Sequence, residues 1–173
     1  MKKYIIAAIM SFSLFAVANA LTIELKPMVR TSGSKTVNLN YNNSYDKYKT
    51  VSKSFLFTIK STSPVRVLCI MATLSGNKGV DTDVAIGNVD MSHPFECSIS
   101  ASSSSRETKL DFTYSPDYYE KTGNAKVEGC CIVFDLRTGK FAGMKYTSKA
   151  FADNFVAANK QQIKELVTEA RNN

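Results

Sequence analysis

The sequence predicts a mainly β protein, an antiparallel β-sandwich of about seven to nine strands with a C-terminal α-helix packed on it. Three observations lead there. Short runs alternate apolar and polar residues, most cleanly where Thr108, Leu110, Phe112 and Tyr114 share one face against Lys109, Asp111 and Thr113. Turn-forming clusters recur at close spacing with no βαβ alternation between them. One stretch, 148–170, has helical periodicity, with Phe151, Phe155, Ile163, Leu166, Val167 and Ala170 on a single stripe.

The chain begins with a basic Met1-Lys2-Lys3, an apolar Tyr4 to Val17 and the small residues Ala18-Asn19-Ala20. That is the three-part plan of a cleaved secretory signal, and it places the protein in the periplasm or outside the cell. The apolar run is shorter than the about 20 residues of a spanning helix, and no later run is long enough to span. Cleavage leaves 21–173, which is 173 − 20 = 153 residues and suits one domain. The expected division is a signal at 1–20, a sandwich at 21–147 and a helix at 148–173 belonging to the same domain. The net charge of +7 falls to 7 − 2 = +5 without Lys2 and Lys3. Such charge attracts an anionic glycan or the acidic face of an envelope protein. No dense Lys/Arg cluster interleaves with aromatics, so the lysines read as a solvated surface, and nucleic acid is not an expected partner.

Taken in order, Leu21, Ile23 and Leu25 mark a half-buried strand that Pro27 ends or bends. Residues 30–35 read as a loop around Gly33, and 37–41 as a short strand. The polar stretch 42–49 is turn-prone, and Tyr41, Tyr45 and Tyr48 on and beside it are a possible partner surface, since tyrosines give amphipathic contact area. Asn42-Asn43-Ser44 fits the glycan-acceptor pattern, which is common by chance. Phe55, Phe57 and Ile59 give Val51 to Lys60 one apolar face. Val65 to Leu74 is apolar on both faces and belongs at the centre of a sheet. Residues 75–79 read as a loop. So does the stretch that follows, where Asp81, Asp83 and Asp90 lack the ligand spacing of a calcium loop. Phe95, Cys97 and Ile99 face inward on another strand, 100–105 is a serine-rich connector, and 118–124 is a turn region. Ala125 to Tyr146 is a hairpin about Arg137-Thr138-Gly139-Lys140. Ser148 caps the terminal helix, and Asn159 and Gln162 weaken its stripe. That stripe packs on the domain's own sheet or, alternatively, docks a partner.

Cys69, Cys97, Cys130 and Cys131 are the four cysteines, and an even count in an exported chain predicts disulfides. A Cys130–Cys131 ring would be strained, so two cross-links from Cys69 and Cys97 to the hairpin are expected. Neighbours on a regular strand point to opposite faces, which separates Cys130 from Cys131 unless Gly129 forms a bulge. No Cys-x-x-Cys spacing is present, so neither a metal nor a redox site is predicted, and no cofactor.

His93, the only histidine, sits in a Ser-His-Pro turn with no nucleophile motif beside it. There is no P-loop or dinucleotide fingerprint. The expected function is therefore that of a noncatalytic exported module, mainly monomeric, binding a protein or glycan partner. The alternative is an exported hydrolase working through acids such as Asp111, Asp117 or Asp135.

The two-sided strand at Cys69 and the hairpin at Cys130/Cys131 read as the facing centres of two sheets. Joined by buried cross-links, this resembles immunoglobulin-like domains over 21–146. The resemblance is architectural, because the chain has no tryptophan to pack on such a bridge.

Overall fold

The computed structural model describes residues 21–38, 45–76, 78–110, 118–123 and 125–173, with side chains at 21–29, 49–76, 78–105 and 125–173. The signal-like segment 1–20, Tyr41, the acceptor pattern at 42–44, Asp111 and Asp117 lie outside the described residues. Among the described residues, eight strands and two helices follow one another: β1 (Leu21–Asn38), β2 (Tyr45–Ser61), β3 (Val65–Ser75), β4 (Gly79–Val89), β5 (Phe95–Leu110), β6 (Tyr118–Gly123), β7 (Val127–Asp135), β8 (Lys140–Tyr146), α1 (Lys149–Ala158) and α2 (Lys160–Asn172). They form two four-stranded antiparallel sheets, ordered β1-β2-β5-β6 and β4-β3-β7-β8.

Alternation along β2 puts Phe55, Phe57 and Ile59 on one face, each 0% exposed. They pack against Val67, Cys69, Met71, Cys131 and Val133 of the second sheet, making the core between the sheets. The opposite face of that second sheet presents Leu68, Ile70, Ala72, Cys130, Ile132 and Phe134. Phe151, Phe155, Ile163 and Val167 from the helices cover it. The molecule is thus a β-sandwich backed by a helix pair, and β3 and β7 are buried on both sides because they form the middle layer. Each fully buried side chain of this size contributes about 1.5–3 kcal/mol.

β3 and β7 are neighbours in one sheet, with Cys69 opposite Val133 and Met71 opposite Cys131. The expectation that they face each other from different sheets is wrong. Both are two-sided for the same reason, the helix layer behind them, and two-sidedness does not tell a neighbour from a facing strand. The sandwich stands, while the immunoglobulin likeness rested on a bridge between facing strands that these strands do not make.

Several stretches read as loops are strands. Residues 30–35 continue β1 with a register shift between Ser32 and Lys35, around Gly33. Pro27 lies within β1 opposite Phe55, and β1 is an edge strand, the place in a sheet where proline is tolerated. Val80–Val89 is β4, the serine-rich 100–105 is part of β5, and 118–123 is β6. β1, β4 and β6 are edge strands, and 100–105 carries serines on both faces, so apolar alternation does not mark these segments.

The first sheet outruns the second. Ser75, the last residue of β3, donates its hydroxyl to the Ser102 carbonyl of β5 at 2.6 Å, and Lys53 Nζ reaches the Val127 carbonyl at 3.2 Å. Past that level the first sheet continues through 31–38, 45–51, 103–110 and 118–123. Eight further residues of strand add about 26 Å of length at about 3.3 Å each.

The terminal helix is two helices. Ser148 caps α1 by accepting the Phe151 amide at 3.3 Å, as expected. At Asn159 the backbone and side-chain amides both donate to the Phe155 carbonyl, at 3.1 and 2.8 Å, ending α1, and α2 starts at the next residue. The break lets Phe151 and Phe155, then Ile163, Val167 and Ala170, all face the second sheet. The stripe is therefore consumed by the chain's own core and is not available as a docking face.

Candidate functional site

The hairpin places Cys130 and Cys131 on opposite sides of β7, as strand alternation requires. Cys130 joins the core under the helices, and Cys131 faces the first sheet. Cys69 shares that inner face from β3, diagonal to Cys131 across the strand pair. Cys97 reaches the same spot from β5 of the opposite sheet, beside Phe57 in register. The three sulfur atoms lie within 4.8 Å of one another, and all three residues are buried. Gly129 carries no bulge. The only register shift between β7 and β8 falls between Val133 and Phe134, so no distortion re-aims Cys130.

All four cysteines are free thiols. The expected pair of cross-links is thus corrected, and the reason is geometric. Cys130 has the whole thickness of the second sheet between itself and the triangle. No one-to-one pairing of four sulfurs can be drawn, either with Cys69 and Cys97 or as a vicinal ring.

Within the triangle the thiols perturb one another. Hydrogen bonds from Cys131 and Cys69 hold the Cys97 thiol well below the ordinary thiol range, at about 4, against the opposing effects of burial and the Asp83 charge. Cys131 is pushed far up by its hydrogen bonds to Cys69 and Cys97 and by burial. For Cys69 the Cys131 hydrogen bond acts downward, but the Cys97 hydrogen bond and burial outweigh it and the thiol is raised. Cys97 is the sulfur that carries negative charge most readily, and its two neighbours are the donors that stabilise it. Burial pushes Cys130, outside the triangle, up to about 11 against the opposing hydrogen bond with the Ala72 backbone.

The remaining predicted residues are scattered. Asp135 is only 3% exposed, and its carboxylate accepts the Arg137 amide at 2.8 Å and the Thr138 amide at 3.4 Å. Its oxygens hold the β7–β8 turn, where Gly139 takes a positive φ of 69°. His93 is exposed and lies 3.1 Å from Asp90, which also accepts the Ser92 and His93 amides. This is a turn, as the sequence predicts. Asp81 and Asp83 project exposed from β4, while Asp90 is spent on its own turn. Among the described residues the three cysteines are the one group with metal-ligand geometry. Tyr45 and Tyr48 fall on the extension of β2, opposite Asn38 and Lys35 of β1 and Lys109 and Arg106 of β5.

Sequence reasoning missed the triangle because it looked for short ligand spacing. These ligands come from three strands in two sheets, and only the register unites them. The usable signal was that Cys69, Cys97 and Cys131 each sit on the inward face of a strand.

The fold and site define a β-sandwich with a helical backing layer and an internal three-thiol cluster. No family model matches the chain, and no curated protein does. Among solved structures, a Bordetella pertussis protein given the name ApaA is similar at 12% identity and a TM-score of 0.27, over 61% of this chain and 81% of that one. A β-glucosidase 3B from Thermotoga neapolitana in complex with glucose is similar at 7% identity and a TM-score of 0.20, over 70% of this chain and 16% of that one. Among the described residues no helix is long and apolar enough to cross a membrane.

Proposed function

We propose that this is an exported, noncatalytic binding module that holds an anionic glycan on the part of its first sheet projecting past the sandwich. The observation that carries this reading is the composition of that projection. Its four strand segments bear Lys35, Lys47, Lys49, Arg106, Lys109 and Lys121 against Asp46, Glu107 and Glu120, a balance of 6 − 3 = +3. They also bear Tyr45, Tyr48, Tyr118 and Tyr119, with many serines and threonines, and few aliphatic residues. A sheet of this composition does not require a second sheet to cover it. It suits a polyanion, with cations for the charge, hydroxyls for hydrogen bonds and tyrosine rings for the faces of sugars. Four adjacent strands bring these cationic and aromatic residues into one sheet.

An envelope protein is the less favoured partner. The apolar side chains left exposed on the edge strand β4, Val80, Val84 and Ile86, share that strand with Asp81 and Asp83, a poor match to anionic ligands. The hydrolase reading loses Asp135, whose carboxylate is engaged in a turn.

The test is retention on a uronate- or sulfate-bearing polysaccharide matrix beside a neutral one. We expect salt-sensitive retention on the anionic matrix alone, lost in Lys47→Glu/Lys109→Glu with an unchanged circular dichroism spectrum. Equal behaviour on both matrices, undiminished retention of the variant, or turnover of the polysaccharide would each overturn the reading.

A further inference from the structure

We propose that Cys69, Cys97 and Cys131 form a three-sulfur binding site for monovalent copper in the core between the two sheets. Geometry supplies the first argument. Three sulfurs at most 4.8 Å apart leave a central point no more than about 2.8 Å from each, against a usual metal–thiolate distance of about 2.3 Å. The sulfurs need draw in by only about half an ångström each. β3, β5 and β7 hold them already on the correct faces, so no strand has to change register.

Ligand chemistry supplies the second. The donor set is all sulfur, and soft ligands of this kind select monovalent copper, zinc or iron–sulfur clusters. The walls are Phe57, Val67, Met71 and Val133. Structural zinc takes four ligands in a closed tetrahedron, and this cluster offers three thiols in an apolar surround. Monovalent copper, a closed-shell ion content with two or three sulfurs, is completed by what is present. The nearest further soft group by register is the thioether of Met71, which pairs with Cys131 on the same face. That too favours copper over zinc.

Access supplies the third. Cys69 and Cys131 are 0% exposed, whereas Cys97 is 7% exposed and marks the side from which an ion enters. Asp83, exposed on β4, stands opposite Met71 in register. Cys130, buried in the other core, supplies an internal control.

The experiment titrates the reduced full chain with monovalent copper under argon against a chromogenic copper(I) chelator, with zinc(II) in a parallel arm. We expect one copper withheld per chain, an X-ray absorption first shell of sulfur only, and weaker binding of zinc. Cys69→Ser, Cys97→Ser and Cys131→Ser should each weaken copper binding beyond the about 10–100-fold that loss of a supporting partner costs, and Cys130→Ser should leave it unchanged. Complete removal of copper from the wild-type chain by the chelator would overturn the proposal. So would zinc binding as tightly as copper, or equal weakening by Cys130→Ser. Should a serine variant fail to fold, the wild-type absorption shell decides alone: three sulfurs support the site, and nitrogen or oxygen ligands refute it.

Discussion

Substituting Gly129 tests how closely the two sheets approach. A Cβ built on Gly129 would lie 2.6 Å from Cδ2 and 2.7 Å from Cγ of Phe55, far inside van der Waals contact. Phe55 is 0% exposed and Gly129 lies on β7, buried on both sides, so the ring has no solvent to retreat into. Overpacking of this kind costs about 1–3 kcal/mol, offset only slightly by the lower backbone entropy of alanine in the unfolded chain. For a domain of this length each kilocalorie lowers Tm by about 2–4 °C, so Gly129→Ala should lower Tm by about 2–12 °C. The assay is thermal unfolding followed by circular dichroism, with Phe55→Leu and the double variant alongside. Because the smaller side chain vacates the space the new methyl needs, the double variant should lose about 0.5–3 kcal/mol less than the sum of the singles. An unchanged Tm for Gly129→Ala, or strict additivity in the double variant, would refute the packing described here.

Three further outcomes follow from the same structure. Phe155→Ala should cost about 3–5 kcal/mol and expose dye-binding apolar surface on the second sheet, whereas an exposed docking helix would lose little stability on the same change. Thr73→Val should raise Tm by an amount worth up to about 1 kcal/mol, because the Thr73 hydroxyl is buried without a hydrogen-bond partner and valine keeps its shape. The turn at Asp90 should open only in acid. The His93 hydrogen bond, then the Ser92 and His93 amides, lower the Asp90 carboxyl from 3.8. Its contribution is therefore fully present above that value and lost as pH falls through the lowered one, which the chemical shifts of the Ser92 and His93 amides would report.

What could be read from the chain follows from what buries apolar surface. The cores of β2, β3 and the β7–β8 hairpin were legible because Phe55, Phe57 and Ile59 alternate and because Val65 to Leu74 is apolar throughout. The partition of Cys130 from Cys131 followed from strand geometry alone. Thr108 and Leu110 of β5 already alternate, whereas β4, the serine-rich 100–105 of β5 and β6 were not legible. Their strand character comes from hydrogen-bonded neighbours rather than from their own side chains, so they resemble polar loops. The break at Asn159 showed only as a weak point in a stripe, since a single residue leaving helical geometry, at φ −113° and ψ 18°, makes it. The thiol triangle was illegible for a different reason. It depends on which strands are adjacent and which face each other, and a two-sided apolar strand is compatible with either arrangement.

Arsenite offers the most direct measurement of that arrangement. Its arsenic(III) condenses with three thiols, releasing three waters and forming three As–S bonds, and so records which sulfurs can meet around one atom. Peptide mapping of the arsenite-treated folded chain should find one arsenic joining the segments that carry Cys69, Cys97 and Cys131, and the same product in Cys130→Ser. Arsenic held by Cys130 together with Cys131, or no product linking β5 to β3 and β7, would contradict the placement of three thiols between the sheets.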